Sequence, residues 1–235
     1  MNWPDDRSKE GRWLGEITNF EAKEEIAREM AGRLRDGDVV GVGSGSTSYL
    51  TLVALAERAT VRQWRFMAIP TSLEMELTCQ QHDVPTSNLL QQRPDWSFDG
   101  ADEIDEVGDM IKGRGGAMVR ERLVMASSPE RYVVVDRSKR VSVLGARFPI
   151  PVEVIPESLN LARTHLREHL GASDIDLRPA VGKDGPTLTE HGNFILDVRF
   201  PVVRKELDAL LAQVRGVVGT GLFVGYAPTV VSDGA

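Results

Sequence analysis

The sequence has only one cysteine, Cys79, among its 235 residues. A single thiol can neither close an internal disulfide nor supply a thiolate metal cluster, so we expect a small packed side chain at this position. A fold without disulfides does not need an oxidising environment, and a reducing compartment is its natural setting. We therefore expect a cytoplasmic protein.

Long apolar runs and an excess of positive charge are lacking as well. No run approaches the roughly 20 apolar residues that a membrane span needs. Residues 1–18 are polar, without the apolar core of a signal peptide, and we interpret them as a loose leader. The formal net charge is −7. We therefore expect neither a nucleic-acid nor a membrane partner, although a local basic site can still bind an anionic small molecule.

What the sequence does contain is an alternation of short apolar stretches and amphipathic patterns. Strands are predicted at residues 39–42, 66–69, 96–98 and 132–135, and helices at 20–34, 46–58 and 117–126. This alternation is typical of a parallel sheet covered by helices. The predicted fold class is α/β, with a Rossmann-like parallel sheet that carries helices on both faces.

Polar segments follow the predicted strands. They contain Ser44, Thr71, Asp99, Lys112 and Lys139. Ligands bind at the carboxyl ends of the strands in such sheets, so we expect all five segments to converge on one sheet edge.

The pattern changes after residue 145. The predicted order becomes strand, helix, strand, strand, helix, strand, which indicates a small α+β, ferredoxin-like domain. We predict a Rossmann-like catalytic domain at residues 1–145, completed by about 219–235, and a small α+β domain at 146–218.

The segment GVGSGSTS, residues 41–48, is a glycine-rich turn between a strand and a helix. Its flexible backbone, the helix N-terminus and the hydroxyls of Ser44, Ser46 and Thr47 suit a phosphate. It is neither a P-loop nor a dinucleotide fingerprint, since no GK[ST] follows and Ser46 replaces the third glycine. A tight turn without a ligand is the alternative.

The segment DGADEID brings Asp99, Asp102 and Asp105 close together. Dense carboxylates repel one another, which can raise a pKa towards a catalytic value. A solvated acidic loop and a divalent-metal site are the alternatives. The HLREH segment at residues 165–169 formally matches a zinc pattern, but it lacks a third ligand and we expect no metal.

The segment KGRGGAMVRERL carries Lys112, a glycine stretch and a helix with Glu121. A carboxylate can remove a proton from the carbon next to a carbonyl, and an ammonium group can stabilise the oxyanion that develops. The pair therefore suits enolisation. An ordinary loop followed by a surface helix is the alternative.

Taken together, these segments resemble the ribose-5-phosphate isomerase A family. GVGSGSTS, PTS, DGADEID, IKGRGGAMVRE, the segment from VVDRSKRV to FPIPVEVIP, and GNFILDV follow in the order and spacing of that family, over roughly residues 20–225. The segment at residues 72–95 matches the family poorly, so the rim of the substrate site can differ.

The resemblance implies an isomerase of the pentose phosphate pathway that interconverts ribose 5-phosphate and ribulose 5-phosphate. It implies that Glu121 moves the proton, that Lys112 stabilises the enediolate, and that Asp99 assists ring opening with Asp102 nearby. It also implies that the phosphate or sugar is held by Lys23, Ser44, Gly45, Ser46, Thr47 and Lys139. The family needs no metal or organic cofactor, and a homodimer or homotetramer is expected.

Two alternative functions stay open at this point. The first is isomerisation of another sugar phosphate, because of the divergent segment at residues 72–95. The second is a non-catalytic sugar-phosphate sensor, which needs a DNA-binding element. The single helix before the predicted sheet is too little for a helix-turn-helix.

Overall fold

The computed structural model describes residues 16–234. Most of the predicted leader, residues 1–15, lies outside the described residues. The chain divides into two compact units. The first unit holds residues 16–100, 123–138 and 228–234, and the second holds residues 101–122 and 139–227.

The described residues form twelve strands and six α-helices. The strands are β1 (Val39–Val42), β2 (Met67–Pro70), β3 (Trp96–Asp99), β4 (Glu103–Ile104), β5 (Met110–Ile111), β6 (Glu130–Val134), β7 (Ile150–Val154), β8 (Asp174–Leu177), β9 (Phe194–Arg199), β10 (Val217–Thr220), β11 (Leu222–Phe223) and β12 (Thr229–Val231). The helices are α1 (Phe20–Ala31), α2 (Ser46–Arg62), α3 (Leu73–Gln81), α4 (Met118–Ser127), α5 (Leu159–Glu168) and α6 (Leu207–Ala212). No helix in this part of the chain is both long and apolar enough to cross a membrane.

The first unit contains a five-stranded sheet in the order β12-β6-β3-β1-β2. Every neighbouring pair is parallel. Its strands are short and apolar because helices cover a parallel sheet on both faces. The predicted Rossmann-like sheet is confirmed.

Helices pack on the two faces of this sheet. On one face, side chains of α1, α2 and α3 share a buried cluster with Val40, Val42 and Phe98 of the sheet. On the other face α4 approaches β1 closely, since a Cβ added at Gly41 would lie 2.5 Å from Cγ1 of Val124. Successive residues of β1 therefore face the helices on opposite sides of the sheet.

Three of the predicted polar segments follow strands of the parallel sheet directly. Ser44 follows β1, Thr71 follows β2, and Asp99 is the last residue of β3. Lys112 also follows a strand, β5, but the prediction that this strand belongs to the parallel sheet was wrong. β5 lies in a separate three-stranded antiparallel sheet, β11-β5-β4. An apolar run of two residues does not specify which sheet it joins, because pairing partners are distant in sequence.

The second unit also contains a four-stranded antiparallel sheet in the order β10-β7-β9-β8. Leu166 of α5 and Leu211 of α6 are buried in one cluster with strand residues such as Val152 and Leu196. The chain order β7-α5-β8-β9-α6-β10 is that of a ferredoxin-like unit, as predicted.

Candidate active site

The glycine-rich turn leads from β1 directly into α2. Gly45 is the residue before the helix and has φ +89°, a backbone conformation that L side chains rarely adopt. Ser46 is the first helical residue, and Thr47 is buried behind it. The first N–H groups of a helix have no acceptor within the helix, so the turn presents donors at the positive end of a helix dipole.

The Asp99 carboxylate lies against this turn. Its Oδ1 accepts hydrogen bonds from the backbone N–H groups of Ser44 at 3.2 Å and Gly100 at 2.7 Å. A Cβ added at Gly43 would lie 2.2 Å from the same oxygen, so only glycine fits here. Asp99 is only 4% exposed. The strand end and the turn are therefore built around one buried carboxylate.

A cluster of hydroxyl groups adjoins the turn. Ser44 Oγ lies 2.9 Å from Thr71 Oγ1 and donates to Ser72 Oγ at 2.8 Å. Ser72 in turn caps α3 by accepting from the N–H group of Met75. The site residues predicted from the sequence did not include Thr71 or Ser72. The available signal was the PTS turn at the end of β2.

Lys23, on α1, reaches the same turn. Its Nζ donates to Ser46 Oγ at 3.0 Å and lies 4.0 Å from Asp136 Oδ2, and its side chain is almost fully buried. Asn19 directly precedes α1, but its side chain does not cap the helix. It donates to Asp136 Oδ1 at 3.3 Å instead. Asp136 was missed as a site neighbour, because its link to α1 spans a large part of the sequence.

In the second unit, Lys112 and Glu121 form a buried ion pair. Lys112 Nζ lies 3.5 Å from Glu121 Oε1, and the two residues are 2% and 6% exposed. Glu121 lies in the first turn of α4. The Lys112 backbone N–H donates to the carbonyl of Gly221 at 2.8 Å. Opposite charges hidden from water interact strongly because the local dielectric is low.

Asp102 lies beside the glycine stretch that joins these two residues. Its Oδ2 accepts from the backbone N–H of Arg114 at 3.1 Å, and its own N–H donates to the carbonyl of Ile111 at 2.8 Å. Asp105, by contrast, accepts from Val107 and Asp109 within its own turn. The acidic segment is thus divided between different local structures.

Lys139 ends a short 3-10 helix, Arg137–Lys139, and is half-buried. Its phosphate role stays a prediction. Between residues 16 and 234, no group of three or more His, Cys, Asp and Glu side chains is arranged to hold a metal ion.

The contacts bring the predicted residues together as two groups. The first unit joins Lys23, Ser44, Ser46 and Asp99 around a helix N-terminus. The second unit joins Lys112, Glu121 and Asp102 around a glycine stretch. The first arrangement suits an anionic group, and the second suits proton transfer next to a developing oxyanion.

Comparison with known proteins points to one family. The family model described as ribose 5-phosphate isomerase A (phosphoriboisomerase A) matches residues 67–235. Ribose-5-phosphate isomerase A of Methanothermobacter thermautotrophicus is 37% identical over 212 residues, which cover 89% of this chain and 92% of that protein.

Solved structures give the same result. The ribose 5-phosphate isomerase A structure from Methanocaldococcus jannaschii superposes with a TM-score of 0.87 at 34% identity, covering 92% of this chain and 96% of that one. A D-ribose-5-phosphate isomerase in complex with phospho-erythronic acid superposes with a TM-score of 0.86 at 32% identity, with the same coverage.

Proposed function

The chain belongs to the ribose 5-phosphate isomerase A family, and from that premise we propose how its residues interconvert ribose 5-phosphate and ribulose 5-phosphate. The enzyme is an aldose–ketose isomerase of the pentose phosphate pathway. The observation that carries the proposal is the buried pair of Lys112 and Glu121 at 3.5 Å. It supplies a base and an oxyanion stabiliser at one place.

Glu121 is the base in this proposal. Its carboxylate removes the proton from C2 of the open-chain aldose, and the electron pair forms the C1–C2 double bond of an enediolate. The negative charge that develops on O1 is stabilised by the Lys112 ammonium group. The proton on Glu121 exchanges with solvent during the lifetime of the enediolate. Glu121 then protonates C1, while the hydroxyl proton of O2 passes to O1 and the C2 carbonyl forms.

Asp99 acts before this step, on the closed furanose ring. Its carboxylate accepts the proton of the anomeric hydroxyl as the ring C–O bond breaks, and it returns that proton to the released ring oxygen, which becomes the C4 hydroxyl. Asp102 holds sugar hydroxyls. Two backbone N–H groups already bind Asp99 Oδ1, which fixes the orientation of the carboxylate. That fixed orientation supports a role in which Asp99 must meet one particular hydroxyl.

The phosphate of the substrate binds to the N-terminus of α2 in this proposal. The groups assigned to it are the backbone and hydroxyls of Ser44, Gly45, Ser46 and Thr47, with positive charge from Lys23 and Lys139. The 3.0 Å bond between Lys23 Nζ and Ser46 Oγ supports the assignment of Lys23. A helix N-terminus and an ammonium group together favour a dianion.

The test is the conversion of ribose 5-phosphate to ribulose 5-phosphate by the wild-type protein and by Glu121→Gln. We expect wild-type turnover and a loss of about 100-fold in kcat for the variant, the usual scale for a missing general base. Glu168→Gln, an exposed carboxylate at the end of α5, is the matched control and should retain full activity. Equal kcat values for wild type and Glu121→Gln would remove Glu121 from the mechanism.

We also propose that phospho-erythronic acid, the ligand of the related isomerase, inhibits this enzyme competitively. It combines a phosphate with a carboxylate, whose negative oxygens can occupy the place of the enediolate oxygens next to an ammonium group. Competitive inhibition in steady-state kinetics supports this assignment. Inhibition that is independent of substrate concentration contradicts it.

We propose further that the enzyme works in the cytoplasm as a homodimer or homotetramer. Exposed apolar side chains, among them Leu90, Val181 and Val202, are candidates for a subunit interface. Sedimentation equilibrium measures the assembly directly. A single species with the mass of one chain, 25.9 kDa, would contradict the proposed oligomer.

A further inference from the structure

Arg122 follows the proposed base directly on α4, and its guanidinium group is unusually well held. It forms a two-point ion pair with Asp208 of α6, at 3.1 Å and 3.0 Å. It also donates to Thr220 Oγ1 and to the Thr220 carbonyl, both at 3.1 Å, and to the carbonyl of Leu222 at 2.6 Å. The Arg122 and Asp208 side chains are 24% and 19% exposed. The group thus fixes the turn between β10 and β11 to the N-terminal half of α4.

The same turn and strand hold Lys112. β11 pairs with β5, the strand that precedes Lys112, with Leu222 opposite Ile111. The Lys112 N–H donates to the Gly221 carbonyl. Phe223 is fully buried, and its ring centroid lies 4.4 Å from Arg122 Cζ and 5.7 Å from Lys112 Nζ. The Lys112 ammonium and the Arg122 guanidinium therefore both face one buried ring.

We propose that Arg122, anchored by Asp208, is a positioning residue that sets the geometry of Lys112 and Glu121. This inference rests on the proposed function. Arg122 binds the segment that holds Lys112, and it is joined to Glu121 by a peptide bond. A rigid guanidinium fork keeps its position better than a flexible ammonium group does. Small displacements of catalytic groups lower the reaction rate strongly, because proton transfer needs the donor and the acceptor to be aligned.

The neighbouring Arg120 provides a matched control. It lies on the same turn of α4, on the other side of Glu121 in sequence. Its ion pair is with Glu190, at 2.8 Å, in the segment between β8 and β9. The Arg120 and Glu190 side chains are 36% and 25% exposed, so this pair is also partly buried. It differs from the Arg122 pair in having no described bond to β11 or to the turn before it.

The experiment compares kcat and KM for wild type, Arg122→Met, Arg122→Lys, Asp208→Asn and Arg120→Met. We expect kcat to fall about 30-fold for Arg122→Met, with KM changed by less than about 3-fold, since a displaced catalytic pair slows the chemical step more than it weakens binding. For Arg122→Lys and Asp208→Asn, kcat should fall about 5- to 10-fold, because each variant keeps some of the hydrogen bonds of the original pair. For Arg120→Met, kcat and KM should stay within about 2-fold of the wild-type values.

The outcomes separate this inference from the proposed function. Absence of wild-type turnover on ribose 5-phosphate means that the proposed function fails. Wild-type turnover with an unchanged kcat in folded Arg122→Met overturns the positioning role alone. An equal loss in Arg120→Met also overturns it, because the effect is then a general weakening of α4. If Arg122→Met does not fold, Arg122→Lys and Asp208→Asn test the positioning role instead. A fall in kcat with little change in KM supports it, and an unchanged kcat in both overturns it.

Discussion

The glycine turn of the first unit and the charged pair of the second unit achieve their chemistry in different ways. The turn uses backbone N–H groups, hydroxyls and a helix N-terminus, and most of it comes from one continuous segment, residues 43–47. The pair uses two buried opposite charges, and Lys112 contacts residues far along the sequence. Its backbone N–H donates to the Gly221 carbonyl, and its ammonium group faces the Phe223 ring.

Anion binding and proton transfer differ in how much displacement of a side chain they tolerate. An anion can be bound by several interchangeable donors, so a displaced hydroxyl costs little. Proton transfer needs one carboxylate and one ammonium group at a fixed separation. We therefore expect variants of Lys112 and Glu121 to act mainly on kcat, and variants of the lysine and hydroxyl groups around the turn to act mainly on KM.

The largest effect is expected for Lys112→Met. Removal of the ammonium group leaves the enediolate oxygen without its charge partner, and kcat should fall about 100- to 1,000-fold, the scale seen when an oxyanion donor is lost. Steady-state kinetics on ribose 5-phosphate measures this. Lys205→Met is the control, since that lysine is largely exposed and pairs at 3.9 Å with Asp109. A Lys112→Met variant that binds weakly but turns over at the wild-type kcat would break the comparison.

A smaller effect, of the other kind, is expected for Lys23→Met. The substrate phosphate loses a buried positive charge next to Ser46, so KM should rise about 10- to 30-fold while kcat changes less, the scale of a charged hydrogen bond. The inhibition constant of inorganic phosphate should rise in parallel. The exposed Lys183→Met serves as the control. A fall in kcat without a change in KM contradicts the phosphate role.

Thr71→Val should have a milder effect of the same kind. The change keeps the shape of the side chain but removes the hydroxyl that lies 2.9 Å from Ser44 Oγ, and we expect KM to rise about 3-fold, the usual worth of a neutral hydrogen bond. Thr78→Val is a matched control, since its hydroxyl donates to the Glu74 carbonyl within α3. An equal rise in KM for both variants would contradict a specific contribution of the Thr71 hydroxyl to substrate binding.

The smallest effect on activity is expected at Cys79, which lies in the core of the first unit. Burial raises the pKa of its thiol to about 12 from 9.0. The folded state therefore holds this proton more tightly than the unfolded state, so its stabilising contribution is present below pH 9 and is lost as the pH rises from 9 to 12. A disulfide reagent at pH 8 should react with Cys79 only in denaturant. Rapid reaction of the native protein would contradict the burial.

Local sequence predicted the turn and the parallel sheet well. GVGSGSTS combines glycines with hydroxyl residues between a strand and a helix, and that chemistry is contained in neighbouring residues. The ferredoxin-like order was readable for the same reason, since each element has its own apolar period.

Pairing across the chain was not predictable. The sheet that contains β5 depends on Leu222 and Phe223, and the surroundings of Lys23 depend on Asp136. The role that we infer for Arg122 also depends on such distant partners. A pattern of apolar and polar residues indicates an element but does not identify its distant neighbours.

The most direct test of Glu121 as the proton carrier is deuterium exchange at C2 of ribose 5-phosphate in heavy water, followed by NMR. This signal reports proton removal itself, independently of product release. The account predicts that the wild-type enzyme exchanges the C2 proton as it turns over, and that Glu121→Gln loses exchange and turnover together, each by about 100-fold. Exchange at the wild-type rate in Glu121→Gln would contradict it.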